Sequence, residues 1–395
     1  MIPVRIRDQF PALTGQPDVV YLDSATTTMK PARVIDAVSS YLSRETGSVG
    51  RGTHPWSTRV TREVERVREQ VARFVGASGP DEIVFTSGAT AGLNAVALSW
   101  GLPNLRDGDE ILFNPVDHSS NVAPWRNLQR ILRRLGVQVR LVPYEMTGAG
   151  EIDVEDLLGK VTHRTRIVVA THIHHVFGSL SALDDLNPSI VRCLDCSQSV
   201  GHVDVDVQQL GVDFAVFSAH KLFGSPGAGV LYCHRRVHDR LDPFLPGGSG
   251  RTTAGLPALL EGGTPNIPAV LSLGKAIDFV AEVGIDRIAE HVRLLTRLVV
   301  ERLRTVPRLE FTPGPAWSRC AAGYGIVSFR LPEISASDVG FALSSENFYV
   351  RTGNHCLPEG ADFEDSVRVS LHLYNTEAEV ERFADFLGRV AKGMV

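Results

Sequence analysis

Seven short apolar runs, each bounded by turn signals and separated by helix-like stretches, constrain this chain more than any other feature. They read EIVFTSG, DEILFNP, QVRLVPY, TRIVVATH, IVRCLDCS, DFAVFSAHK and GAGVLYC. Runs that are apolar at successive positions describe strands buried on both faces, and strands alternating with helices describe a mostly parallel sheet covered on both sides. The expected fold class is therefore α/β. Ligands of such sheets gather at the carboxyl ends of the strands. Nearly every polar cluster falls there: Ser87 to Thr90, Asp117 and His118, Thr171 to His175, Asp195 to Gln198, and Ser218 to Lys221. One convergent site is the expectation.

The Gly- and Pro-rich stretch from Pro243 to Pro268 reads as an exposed functional loop. From about Leu271 to Arg304 the apolar positions recur at three- and four-residue spacing, which predicts a connector helix or two, broken near Gly284. Beyond Pro307, GIVSFRL, FYVRTG and SVRVSLHLY read as strands and Glu377 to Val390 as an amphipathic helix, together a smaller α+β domain. The expected division is a large domain over 20–285 and a small one from 1–19 plus 286–395.

Composition narrows the partners. At 395 residues and 43% hydrophobic, the chain can bury a substantial core. A net charge of -5 and no Lys/Arg stripe argue against nucleic acid. No run of about 18 apolar residues predicts a membrane span, and no signal-like segment follows the start, so a cytoplasmic enzyme is expected. Five scattered cysteines make a poor disulfide framework and predict free thiols. Cys193 and Cys196 form a C-x-x-C downstream of THIHH, which raises a zinc site. At a strand end, however, residues three apart point to opposite faces, and no metal is expected.

The strand-end residues suggest a chemistry. In DFAVFSAHKLFGSPGAGVLY, Lys221 closes an apolar strand ahead of a tight Gly224–Gly227 turn. A strand-end lysine is commonly a solvated charge; hemmed in this way it can instead be a desolvated amine able to form a Schiff base. Asp195 ends another strand. It can cap a helix, or it can pair with the pyridinium nitrogen of pyridoxal 5′-phosphate (PLP) and keep the ring an electron sink, with Gln198 bonding toward the ring oxygen. Ser87-Gly88-Ala89-Thr90 opens a helix whose free amides suit a phosphate, although a simple cap explains Ser87 equally well. His118 follows a strand, where an imidazole can be structural or can stack on a flat ring.

In that order these residues resemble fold-type I PLP enzymes of the class V aminotransferase group, and specifically the cysteine desulfurases and selenocysteine lyases of the short-loop, SUF-associated type. The segments that carry the resemblance are YLDSATTTMKP, GRGTHPWS, FTSGATAGLN, DHSSNVAPW, the run from Asp195 to Tyr232, EGGTPN, FYVRTGNHC and RVSLHLYNT. The resemblance implies Lys221 as the Schiff-base lysine, Asp195 as pyridinium partner, His118 as stacking residue and Gln198 at the ring oxygen. It implies Ala89, Thr90, Ser218 and His220 as phosphate ligands, with Thr264 reaching the phosphate of a neighbouring subunit in a homodimer with shared active sites. Arg368 is implied as the clamp on the substrate carboxylate, and His54 and Arg351 as further active-site residues. Cys356, in RTGNHC, matches the nucleophile that takes sulfur from L-cysteine, or selenium from selenocysteine, before handing it to an acceptor protein. A free cysteine is commonly a small buried hydrophobe, but polar neighbours and a Pro-Glu-Gly loop point to an exposed thiol.

Three departures bear on the substrate. His175 stands where the family usually has asparagine, so it is expected beside the substrate with different hydrogen bonding. The segment from His175 to Asp195 is short for a crossover helix. Asn354 replaces a common histidine, and Cys196 and Ser197 replace small residues. The reading is a PLP-dependent cysteine desulfurase, with a carbon–sulfur lyase, aminotransferase or epimerase of specialised metabolism as the alternative. A non-catalytic scaffold would have no use for Lys221, Asp195 and Arg368 together.

Overall fold

The computed structural model describes residues 4–50, 52–183, 185–248, 255–320 and 323–394. Its strands in chain order are β1 (Val20–Tyr21), β2 (Ile83–Thr86), β3 (Glu110–Phe113), β4 (Arg140–Pro143), β5 (Thr165–Thr171), β6 (Val191–Asp195), β7 (Phe214–Ser218) and β8 (Gly229–Cys233), followed by β9 (Glu310–Thr312), β10 (Ile326–Arg330), β11 (Phe348–Tyr349), β12 (Arg351–Gly353) and β13 (Ser366–Ser370). The seven runs read as strands all fall in one sheet, ordered β2-β8-β7-β6-β5-β3-β4. Its pairs are parallel except at β8, which is antiparallel to both β2 and β7. Every residue of β6, β7 and β8 is buried, the burial that their unbroken apolar character requires. Cys193 packs into the layer containing Trp100 and Trp125, while Cys196 packs into the opposite layer with Leu194 and Leu222.

The C-terminal part builds a second, antiparallel sheet, ordered β12-β13-β10-β9. Two helices, Ile267–Val283 and Ile285–Leu303, connect the sheets, and the break between them is Gly284 at φ 92°, a left-handed conformation that costs glycine little. β1 pairs in parallel with β11 in a separate two-stranded sheet, and a bridge from Asp23 to Ser370 ties the N-terminal segment to the second sheet.

The first nineteen residues touch both parts: Phe10 lies 5.7 Å from the Phe279 ring and 6.0 Å from the Phe223 ring and Leu13 is buried in the same large core, while Arg7 pairs with Glu379 and donates to the Tyr374 carbonyl at 3.3 Å. Val20 and Leu22, by contrast, are buried with the C-terminal elements. The loop from Pro243 to Pro268 is not exposed throughout. Leu259 and Leu260 are buried, and the Glu261 carboxylate takes Arg68 Nη1 at 2.6 Å and Nη2 at 3.0 Å together with the Phe85 N–H at 2.6 Å. Arg68 is buried and Glu261 partly so, and these charge-assisted bonds anchor the stretch rather than leave it free. Its residues 249–254 lie outside the described residues. Between β5 and β6 the described residues contain no helix, only a bridge from Ile173 to Leu180.

Candidate active site

A cavity of about 220 Å³ opens at the carboxyl ends of β5, β6 and β7. Ala89, Thr90, His118, His175, Asp195, Gln198, Ser218, His220, Lys221, Arg351, Cys356 and Arg368 all face it. The ends of β5, β6 and β7 and the turns after them deliver His175, Asp195, Gln198, Ser218, His220 and Lys221, helix starts deliver Ala89, Thr90 and His118, and the second sheet with its β12–β13 loop delivers Arg351, Cys356 and Arg368.

Lys221 ends a single 3-10 turn, Ala219–Lys221, that follows β7. Burial lowers its amine pKa, and the negative charge of Asp195 opposes that shift. A lowered pKa raises the fraction of unprotonated amine, the form that attacks a carbonyl. Asp195 Oδ1 accepts the Ser197 N–H at 2.9 Å, so it caps the following turn and faces the cavity at once. Gln198 spends one N–H on the Ala25 carbonyl at 2.8 Å. His118 caps the helix Ser119–Arg134, its Nδ1 accepting the Ser120 N–H at 3.1 Å. Burial, then Lys221, pulls the His118 pKa down to about 4, so the imidazole is neutral near pH 7.

Around the helix start, Ser218 Oγ accepts the Ala89 N–H at 2.9 Å and Thr90 Oγ1 lies 2.7 Å from Ser120 Oγ. Gly229 is required here: a Cβ on it would stand 2.5 Å from the Gly88 backbone. These hydroxyls and amides form a cluster of neutral donors suited to an anion.

Arg368, 4% exposed, donates through Nη1 to the His175 carbonyl at 2.8 Å and through Nη2 to Thr26 Oγ1 at 3.1 Å, with Asp23 Oδ1 at 3.5 Å. Its Nε finds no partner among the described residues, and neither do the two ring nitrogens of buried His175. His175 packs edge-on to His118 at 5.0 Å, and burial holds its pKa well below the usual histidine value. Asp117, His174 and His175 cluster closely, their ligating atoms within 4.8 Å. His174, however, accepts the Val176 and Phe177 N–H groups at Nδ1 and turns Nε2 to the Val116 carbonyl at 3.0 Å, which leaves it no lone pair for a metal.

Cys356 is exposed at the mouth of the cavity. Its carbonyl accepts the Ser119 N–H at 2.9 Å and its N–H reaches Asn354 Oδ1 at 3.1 Å. His54 and Thr264, by contrast, are not brought to the cavity of their own chain. His54 is an exposed cap of the helix Pro55–Phe74, and Thr264 is exposed beyond the anchored loop. Thr171, from the polar cluster expected at the site, also lines the cavity, and so do Thr26 and His355, which sequence reasoning missed. Thr26 belongs to YLDSATTTMKP and His355 to RTGNHC, both singled out as segments, but neither carries a local pattern that marks its side chain.

The aminotransferase class-V family profile matches residues 20–383. A cysteine desulfurase of Salmonella newport (strain SL254) is 37% identical over 98% of this chain and 97% of its own length. The chain belongs to the cysteine desulfurases of the class-V aminotransferases. A cysteine desulfurase from Thermococcus onnurineus NA1 superposes with a TM-score of 0.90 at 30% identity, covering 100% of this chain and 99% of its own. The S-sulfonic acid form of the Escherichia coli cysteine desulfurase CsdA superposes at 0.86, also at 30% identity, with 100% of both chains covered. The family is PLP-dependent, and this cysteine desulfurase relative has a donor set that fits the cofactor. A buried amine suits the aldehyde, a strand-end carboxylate suits the ring nitrogen, and the hydroxyl and amide cluster suits the phosphate.

Proposed function

We propose that the chain removes sulfur from L-cysteine, leaving alanine and a persulfide on Cys356. The observation that carries this reading is the shared cavity of Lys221, Arg368 and Cys356. PLP bound there supplies an electron sink conjugated to the substrate α-carbon. Lys221 is the residue that would bind its aldehyde and move the α-proton. Asp195 would hold the ring nitrogen's proton, His118 would pack against the ring, and Gln198 would donate its remaining N–H toward the ring oxygen. Ala89, Thr90, Ser218 and His220 would bind the phosphate.

Arg368 and His175 orient the substrate carboxylate, with Arg351 at the entrance. A fork of donors held this way fixes the direction of a carboxylate as well as its position. The transfer balances without an added oxidant: the Cβ–S bond of cysteine breaks, an S–S bond forms to Cys356, and the thiol protons end on the alanine product and the persulfide. Thr264 and His54, exposed on their own chain, serve a neighbouring subunit in a homodimer, and an acceptor protein collects the sulfur from exposed Cys356.

The test is to incubate the purified protein with L-cysteine and measure alanine, sulfide and the mass of the Cys356 peptide. Alanine together with a peptide heavier by one sulfur is expected. Brisk turnover with an unmodified peptide would favour a lyase, aminotransferase or epimerase and overturn the desulfurase reading.

A further inference from the structure

Thirty-five of the forty basic residues of this chain are arginine and only five are lysine. Lys160 and Lys275 make surface ion pairs along their helices, with Asp156 at 2.8 Å and Asp278 at 3.3 Å, and Lys392 is exposed. Lys221 is the fourth. The fifth, Lys30, is only partly exposed and sits in a hole of oxygens. Its Nζ donates to the His220 carbonyl at 2.8 Å, to Thr27 Oγ1 at 3.2 Å and to the Thr28 carbonyl. Burial pulls its pKa down to about 7, whereas three acceptors around one nitrogen favour the ammonium, which alone has three protons to give.

The His220 carbonyl, immediately before Lys221, collects donors to an unusual degree. Besides Lys30 it accepts the Thr28 N–H at 3.1 Å, the Thr28 Oγ1–H at 3.1 Å and the Thr27 Oγ1–H at 3.2 Å. A carbonyl oxygen has two lone pairs, so four donors on one oxygen hold that peptide plane from several directions. On the far side of Lys221 the same segment acts again. Phe223 is held at φ 60°, a strained position for a bulky residue, and its N–H donates to Thr28 Oγ1 at 2.8 Å. Lys30 itself does not line the cavity of Lys221; it borders a separate surface groove with Val34, Ser225 and Pro226.

We propose that Lys30 is a positioning residue for Lys221: with Thr27 and Thr28 it pins the peptide on either side of that lysine and fixes the line along which its amine enters the cavity. The catalytic part of this inference rests on Lys221 being the cofactor lysine; the positioning part does not. The geometry also explains why lysine persists here in an arginine-rich chain. A tetrahedral ammonium can serve three oxygens around one point, and a planar guanidinium cannot.

The test compares Lys30→Met, Lys30→Arg and wild type by two readouts. The first is trace acetylation of the full-length, cofactor-free protein with acetic anhydride, followed by peptide mapping, with Lys160 and Lys275 as internal standards. Both variants should raise Lys221 labelling about threefold or more, because a less constrained amine is more accessible to the reagent. The second is steady-state turnover of L-cysteine by the loaded enzyme. It should lose about tenfold in kcat with KM nearly unchanged, the pattern of a mispositioned reacting group. Unchanged Lys221 labelling with only a lower Tm would overturn the proposal, as would full recovery of both readouts in Lys30→Arg. If Lys30→Met does not fold, Thr28→Val removes the hydroxyl's bonds to His220 and Phe223 while keeping the side-chain shape, and the same criteria apply. Altered labelling without any change in turnover would uphold the positioning and refute the role of Lys221 in the reaction.

Discussion

Lys221 and Cys356 face one cavity, yet they are carried by different sheets and held by different means. The lysine turn is walled in: β7 and β8 on either side of it are buried at every position, and the residue before it is pinned by four hydrogen bonds. The cysteine lies between the short strand β12 and β13, exposed, with His355 at φ 54° and Cys356 at φ 65°. Two consecutive non-glycine residues in the left-handed region store strain of about 1–3 kcal/mol each. The contrast matches two demands. An amine that must be desolvated and aligned with one atom needs a rigid, dry mounting, whereas a thiol that receives sulfur inside and surrenders it outside needs exposure.

The comparison breaks first at Lys221. Lys221→Ala should abolish the visible absorbance band of lysine-bound cofactor and lower alanine formation by about 1,000-fold or more, roughly 4 kcal/mol of barrier. A variant that still gives a borohydride-reducible lysine adduct would show that another lysine holds the cofactor. Asp195→Ala should follow, with turnover down about 100-fold while Tm falls by only a few degrees, because a lost turn cap costs only about 0.5–2 kcal/mol. Turnover near normal would reduce Asp195 to its bond with the Ser197 N–H.

Cys356→Ala tests the other side. The cofactor spectrum and Tm should be those of wild type, the persulfide should vanish, and alanine formation without added reductant should fall about tenfold, or 1.4 kcal/mol. Activity unaffected by this change would mean that the exposed thiol stands idle beside a working lysine site.

What could be read from the sequence divides along the same line. The strands of the lysine sheet announce themselves because each is buried on both faces, and Asp195 and Lys221 stand at their ends. The break at Gly284 and the helix Glu377–Ala391 were legible for the same reason, a local periodicity. Features made by distant pairing were not. Thr26 meets Arg368 across 342 residues only because β1 pairs with β11 and Asp23 bridges to Ser370. The placement of Phe10 and Leu13 in the large core and the anchoring of Glu261 by Arg68 are likewise invisible in any window of sequence. Lys30 shows the limit well, since nothing in TTTMKP announces that its lysine points at the peptide before Lys221.

The smallest expected effect is the most discriminating for the cysteine loop. Asn354 accepts the Cys356 N–H at 3.1 Å, one of the bonds restraining a strained pair in which His355 is buried and Cys356 exposed. If exposure alone mattered, Asn354→Ala would be silent. If the left-handed turn presents the thiol, losing this hydrogen bond, worth about 0.5–1.5 kcal/mol, should slow persulfide formation about three- to tenfold. The cofactor band should not change, because Asn354 does not line the cavity and, among the described residues, its hydrogen bonds go to Cys356 and Leu357 rather than to the lysine turn. Asn354→Asp keeps an acceptor at the same distance from the Cys356 N–H and should restore most of the rate. Quenched-flow mass spectrometry of the Cys356 peptide measures that rate directly. Equal rates in wild type and Asn354→Ala would show that the cysteine end needs no fixed geometry at all, and the contrast with the pinned lysine would then be complete.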